Sequence, residues 1–363
     1  MNDSKDSRGS CRGSHLSRRT FIKASAAAGA AGLLARCAPS INVSRTAVLR
    51  QPEILLRGVE GKHRVVHTRH SGVWKQTPTG TTGDNAFLDA GAIRKMLDSS
   101  ITALTGLDDA RDAWGSLFSA DEWIAIKINT IQGSRLWTHE PLAAAVAQSL
   151  IDAGIPPEQI ILYDRNDLQI RLGGFTINRS GEGVQCYGTE NSYTSGWRIA
   201  DRNIKLSNCL LQCDALINIP IYKTHGIGGF TFAMKNHYGT LDKPGDFHQG
   251  VIEWAIPELN ALPAIKDRTR LIVGDILAAC TVPRADDPYW RLDTVGDSIL
   301  MSFDPVAHDT VGLGMIYDLA GKGTHELYPN GIALAQGWLR YAEELGAGAN
   351  SAERIEIVEQ DIS

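Results

Sequence analysis

Residues 123–164 constrain the fold more than any other stretch. The run Trp123-Ile-Ala-Ile-Lys-Ile-Asn129 is apolar, Ile-rich and short, and reads as a buried strand. Pro141 and Gly154 bracket a helix through Leu142, Val146 and Leu150, with Pro near the start and Gly just past the end. Ile160-Ile-Leu-Tyr-Asp164 is a second strand. Strand, helix and strand in that order make a βαβ unit, whose strands run parallel with a right-handed crossover.

The alternation extends along the chain. Residues 63–69 read as an early strand, and Asp84 as the cap of a helix whose apolar positions Leu88, Ile93, Met96, Leu97, Ile101 and Leu104 recur at threes and fours. Residues 165–205, rich in Gly, Arg, Asn, Ser and Thr, read as an irregular insertion over one end of the sheet. Strands follow at 215–220, 270–275, 298–303 and 354–358, with helices at 251–262, from Asp304-Pro305 onward, and at 331–345. No repeat or low-complexity tract interrupts them. The expected class is α/β, a mostly parallel sheet flanked by helices, in a single domain over residues 39–363.

Composition narrows the function. With 36 Lys and Arg against 41 Asp and Glu, the formal charge of −5 argues against a nucleic-acid partner, which needs a basic surface. At 43% hydrophobic and 21% charged residues the chain is not disordered. No apolar run approaches the ~20 residues that span a bilayer.

The first 38 residues stand apart. Ser17-Arg18-Arg19-Thr20-Phe21-Ile22-Lys23 precedes a mild Ala- and Gly-rich stretch, Ala24 to Ala35, which is the layout of a signal peptide. The paired arginines before Phe-Ile-Lys resemble the twin-arginine consensus, so residues 1–38 are expected to engage that translocase, and the mature protein to be periplasmic or extracytoplasmic. Leu34-Ala35-Arg36-Cys37 is a poor lipoprotein box, because Arg36 stands where a small residue belongs, so lipid anchoring at Cys37 is not the expectation. Of the other cysteines, Cys186, Cys209, Cys213 and Cys280 show no repeated Cys-x-x-Cys spacing, hence no iron–sulfur or zinc motif. They are expected to be small buried residues with at most one bridge, and three full pairings stay open.

Several strands end in a polar residue: Asn129, Asp164, Asp275 and Asp304. In open α/β sheets ligands bind beyond the carboxyl ends of strands, although Asp and Asn also serve there as helix caps. The densest chemistry lies between Leu216 and Thr240. A strand ending at Pro220 is followed by Lys223, Thr224 and His225, a glycine turn with Gly226, Gly228 and Gly229, and then Lys235, Asn236 and His237. Two lysines and two histidines beside flexible glycines suit an anion such as a carboxylate or phosphate. The spacing matches neither a Walker A loop nor a Rossmann fingerprint, and the histidines do not form His-Glu-x-x-His. The plain alternative is a surface loop with solvated lysines.

The pattern from Leu216 to Gly239 joins Ala125-Ile-Lys-Ile-Asn129, Asp152-Ala-Gly154 ahead of Tyr163-Asp164, and Asp304-Pro-Val-Ala-His-Asp309. Together these resemble the domain of unknown function 362 family over roughly residues 60–320. That family has no assigned catalytic residues, so none is carried over. Many members resemble iron–sulfur proteins through a four-cysteine module after the domain. No cysteine follows Cys280 here, so the resemblance implies an iron–sulfur or redox partner subunit rather than a cluster in this chain.

Two functions are therefore expected of the sheet's carboxyl end. In the first, an exported enzyme acts on a small anionic molecule: His225, Lys223, Lys235 and His237 are catalytic, and Lys127, Asn129, Gly226, Gly228, Gly229 and Asn236 bind the ligand. Asp164, Asp275 and His225 offer the oxygen and nitrogen donors of a divalent metal. A redox reaction is what the family association implies. In the second, the same residues form a non-catalytic binding or cofactor-handling module, or the chain is a subunit of a redox complex.

Overall fold

The structure, a computed structural model, describes residues 61–131, 136–282, 292–320 and 329–363. The export signal and Cys37 lie outside them. Among the described residues, ten strands form the central sheet: β1 (His63–Arg69), β2 (Ile124–Lys127), β3 (Ile160–Asp164), β4 (Gln185–Gly188), β7 (Ala215–Asn218), β8 (Ile221–His225), β9 (Gly229–Thr231), β10 (Thr269–Cys280), β11 (Thr294–Ser302) and β12 (Ile355–Asp361). β5 (Tyr193–Ile199) and β6 (Arg202–Ser207) make a separate antiparallel hairpin. The sheet order is β12-β1-β11-β10-β7-β2-β3-β4, with β8 paired to β10 and β9 to β8.

The βαβ unit takes its expected form. β2 and β3 run parallel with Ile124 opposite Ile160 and Lys127 opposite Tyr163, and β7 flanks β2 in the same sense with Asn218 opposite Lys127. β10 is parallel to β7, whereas β11 is antiparallel to β10. The sheet is therefore mostly parallel and the class is α/β.

Strand alternation divides the core into two layers. On one face, α1 (Ala90–Thr105), α2 (Ala110–Leu117) and α3 (Glu140–Asp152) bring Ile93, Met96, Trp114 and Leu142 against Ile124, Ile126, Leu162 and Ile217. On the other lie the short α4 (Ala233–Asn236), α5 (Ile252–Ala261), α6 (Pro305–Ala320) and α7 (Pro329–Glu344). Their Met234, Leu259, Val306 and Trp338 share a core with Ala125, Ile161, Tyr163 and Leu216. Lys127 follows Ala125 by two, so it points into this second layer at the carboxyl end of β2. Truncating the fully buried Trp338 to Ala would cost about 3–5 kcal/mol. Among the described residues no helix is long and apolar enough to cross a membrane.

Three expectations need correction. Asp84 does not cap α1: it accepts N–H groups from Thr79, Gly80 and Thr81 in the preceding turn, and Asp89 caps the helix by accepting from Ala92. The cap moves because the buried helical stripe starts at Ala92 and Ile93, while Leu88 belongs to the turn. Residues 165–205 are not wholly outside the sheet, since β4 pairs parallel with β3 as its edge. Lys223, Thr224 and His225 do not lie in a loop after Pro220; they form strand β8, buried at every position. Cys186, Cys209, Cys213 and Cys280 are buried, and no disulfide joins them.

Candidate functional site

Three neighbouring strands, β7, β2 and β3, end side by side at Asn218, Lys127 and Asp164. Their carboxyl ends and β8 surround a pocket of about 80 Å³. Since one water occupies ~10–15 Å³ by such a measure, the space suits a few waters or one small anion.

One wall is fully satisfied. The Lys127 ammonium donates to Asp164 Oδ1 at 2.8 Å and to the Ile128 carbonyl, and Asp164 Oδ2 accepts from the Thr130 N–H at 2.7 Å and the Thr130 hydroxyl at 3.0 Å. Gly239 is part of this wall: a Cβ there would lie 2.7 Å from both Asp164 Oδ1 and Lys127 Nζ, so only glycine lets the chain pass. Burial pushes the Lys127 amine below its ordinary value, against the pull of Asp164.

A chain of amides crosses the pocket floor. Lys223 Nζ donates to Asn129 Oδ1 at 3.1 Å, Asn129 Nδ2 to Asn236 Oδ1 at 2.9 Å, and Asn236 Nδ2 to Asn218 Oδ1 at 2.7 Å. Asn218 Nδ2 ends the chain on the Ala233 carbonyl at 2.8 Å. Each amide has one orientation because its oxygen meets a donor and its nitrogen an acceptor.

The opposite wall is cationic and imidazole-lined. Lys235 Nζ donates to His248 Nε2 at 3.2 Å and sits 4.4 Å from the Tyr238 ring centroid. His248 stacks on His225 with centroids 5.3 Å apart. His225 Nδ1 accepts the Ile227 and Gly228 N–H groups at 3.1 and 2.9 Å, which places its proton on Nε2. His248 Nδ1 meets the Pro244 carbonyl at 2.9 Å, so His248 carries its proton on Nδ1 and accepts at Nε2. Burial pushes the Lys235 amine down to about 7, helped by Lys223, and Lys223 likewise to about 7, helped by Lys127 and opposed by Asp164 and Cys280. Burial and then the Lys235 charge depress His248 to about 4; the same pair, with His248 and Lys223, holds His225 well below its ordinary value. Both imidazoles are thus neutral at pH 7.

Lys127, Asn129, Asp164, Lys223, His225, Lys235 and Asn236 therefore come together as lining residues. Others are placed elsewhere. His237, depressed to about 3 by burial and then Lys127, faces Asn218 and Thr240 rather than the pocket. Gly226, Gly228 and Gly229 do not line it. They shape the turn that holds His225, and Gly229 takes φ +78 where a Cβ would strike the Gly331 carbonyl of α7 at 2.0 Å. Asp275 lies within β10, which runs on to Cys280, and it binds the His139 ring and backbone. The trio Asp164, Asp275 and His225 is not gathered, and among the described residues no group of three or more His, Cys, Asp or Glu is placed to hold a metal ion. Asp304 ends the antiparallel β11, so it sits at the opposite end of the sheet, capping α6 through the Val306 and Ala307 N–H groups.

Sequence reasoning missed Asn218, Thr130, Arg165 and the role of His248. Asn218 carries the same strand-end signal as Asn129. Asp309 was also missed: it accepts the Ala233 and Met234 N–H groups at 2.8 and 2.9 Å and so fixes the turn of α4 that presents Lys235 and Asn236.

Comparison with known proteins gives a family and two distant structural likenesses. The model described as Domain of unknown function (DUF362) matches residues 124–314, and that of the twin-arginine translocation pathway signal sequence matches residues 15–35. No curated protein matches the chain. Similar solved structures include a Thermotoga maritima protein, at 12% identity and TM-score 0.34, covering 68% of this chain and 59% of that one. Another is the lactate racemase apoprotein from Thermoanaerobacterium thermosaccharolyticum, at 7% identity and TM-score 0.34, covering 74% of this chain and 59% of that one. The chain thus spans less than two thirds of the length of either.

Proposed function

This chain belongs to the DUF362 family and is exported by the twin-arginine pathway to the periplasm or extracytoplasmic space; from that premise, we propose that it is an enzyme performing proton transfer on a small anionic molecule bound in the pocket. One observation carries the reading: among the described residues, Lys127, Arg165, Lys223 and Lys235 line the pocket against a single carboxylate, Asp164. A buried excess of positive charge is costly unless an anion neutralises it.

The roles follow from the protonation states. An amine with a pKa of about 7 is suited to general acid–base work at neutral pH, and both Lys223 and Lys235 meet that condition. His225 cannot serve as a base at Nδ1, which already accepts two backbone N–H groups. As a neutral Nε2–H donor it would instead polarise an oxygen of the substrate, the way a neutral imidazole acts as an electrophile. Lys127 with Asp164 holds the wall in shape, and the amide chain positions Lys223.

Isothermal calorimetry on the mature protein with acetate, propionate and inorganic phosphate tests the reading. Millimolar or tighter binding is expected, lost in Lys235→Met; no heat from any of them sinks it. The binding-module alternative shares these lysines and is separated by deuterium exchange into bound carboxylates in D2O. Catalysis predicts exchange that falls ~10²–10⁴-fold in Lys223→Met or Lys235→Met, whereas a binding module exchanges nothing in any variant.

A further inference from the structure

Beside the pocket lies a second chamber of about 420 Å³ with polar walls. Arg165, which follows Asp164 directly, lines both spaces, and Pro244 of the inner pocket adjoins Lys243 of the outer chamber. The outer walls carry Arg165, Lys205 and Lys243 against Glu190 and Asp242.

The charges in the outer chamber are unequally engaged. Glu190 Oε1 accepts from the Asp167 N–H at 2.6 Å, and Asp242 Oδ1 from the Lys205 N–H at 3.3 Å, so both carboxylates are turned toward backbone donors. Arg165 has weaker company. Its Nη2 reaches the Asp242 carbonyl only at 3.4 Å, the Tyr193 hydroxyl in the same wall is a further hydrogen-bond partner, and its buried Nε has no partner. Among the described residues no ion pair joins Arg165, Lys205 or Lys243 to a carboxylate. The chamber wall is also held in an unusual backbone state: Glu190 is a non-glycine residue at φ 53, fixed by its N–H on the Arg165 carbonyl at 2.9 Å. A guanidinium without a carboxylate partner among the described residues and with an unengaged Nε–H, placed between two cation-lined spaces, is suited to a planar anion, which it can grip with two parallel N–H groups.

We propose that the substrate is a dianion that spans both chambers, its small anionic head in the inner pocket at Lys223 and Lys235 and a second carboxylate or phosphoryl group in the outer chamber at Arg165, Lys205 and Lys243. This rests on the anion-binding reading of the inner pocket and adds the class of molecule. Asp242 and Glu190, still acidic, leave the outer chamber only modestly positive, which favours a second group of one or two charges over a polyphosphate.

Matched probes test the inference on the mature full chain by calorimetry. Malonate, succinate, glutarate and adipate are compared with the monocarboxylates of equal carbon number, and 3-phosphonopropionate asks which outer anion is preferred. At one length the diacid should bind at least tenfold more tightly than its monoacid, and that length reads the span between the seats. The double variant Lys205→Gln/Lys243→Gln, at two exposed positions, should remove the diacid advantage and leave monoacid affinity intact; Arg165→Met should also remove it. If monoacids bind, and bind through Lys235, yet no diacid exceeds its monoacid, the dianion is overturned and the anion reading survives. If monoacids do not bind either, both fall.

Discussion

Two buried lysines a few residues from one another in space have different surroundings. Lys127 sits on a carboxylate, and that carboxylate is itself held by the Thr130 backbone and hydroxyl. Lys235 faces an imidazole nitrogen and a phenol ring instead, with Lys223 raising the local potential. Both are buried, so burial alone does not distinguish a structural cation from a functional one. What distinguishes them is whether the fold has already supplied the counter-charge. The Lys127 side has its carboxylate within the fold; the Lys235 side has none among the described residues, and under the proposed function a bound anion would supply it.

Substitution should break this contrast most sharply at Asp164. Asp164→Ala strands the Lys127 ammonium and the Thr130 N–H in the interior, and is expected to lower unfolding stability by about 3–5 kcal/mol in urea titrations. Lys235→Met removes a charge that has no carboxylate partner among the described residues, and should leave stability within about 1 kcal/mol of the parent or raise it while abolishing the proposed anion binding. Equal losses in the two variants would show that the walls are not different in kind.

Titration sharpens the same contrast. The Lys223 and Lys235 amines have folded values of about 7 against an ordinary 10.5, so between those values the unfolded chain binds more protons than the folded one. Their cost to folding is therefore full below about pH 7 and fades as pH rises toward 10.5, and ligand-free stability should climb across that window. Anion affinity should run the other way, falling above pH 7 as the amines lose their protons. Chemical denaturation and calorimetry from pH 6 to 10 check both slopes, and Lys223→Met/Lys235→Met should flatten the first. The smallest effect belongs to a pair at the surface: Arg198 meets Asp201 at 3.2 Å, but Asp201 is 99% exposed, so Arg198→Ala should change stability by no more than about 0.5–1 kcal/mol.

Much of this was legible in the sequence, and the exceptions have physical causes. Periodicity located β1 and β3 to the residue, because their apolar runs have polar borders. It located β8 poorly, since Lys223 and His225 look like solvent-facing residues until tertiary packing buries them. Strand-end position picked out Asn129 and Asp164, and the structure brings both to one pocket with Lys127. The same rule brought in Asp304 wrongly, because strand direction is a property of the whole sheet and β11 runs backward. Asp275 failed for a related reason: β10 continues past it to Cys280, so it was never an end. Arg165 carried no signal at all, being one of several arginines in a segment without periodicity.

Strand β8 has a last consequence. Lys223 and His225 face the pocket because they are two residues apart, with Thr224 between them turned toward the Cys280 carbonyl. A slip of one residue along β10 would present Tyr222 and Thr224 in their place. Amino-acid replacement can thus tune the pocket gradually, one side chain at a time. Gain or loss of a single codon between Pro220 and Lys223 would exchange the amine and the imidazole for a phenol and a hydroxyl together. The pocket's chemistry is stored in the parity of a short strand, and its lineage can tolerate drift in composition there far better than drift in length.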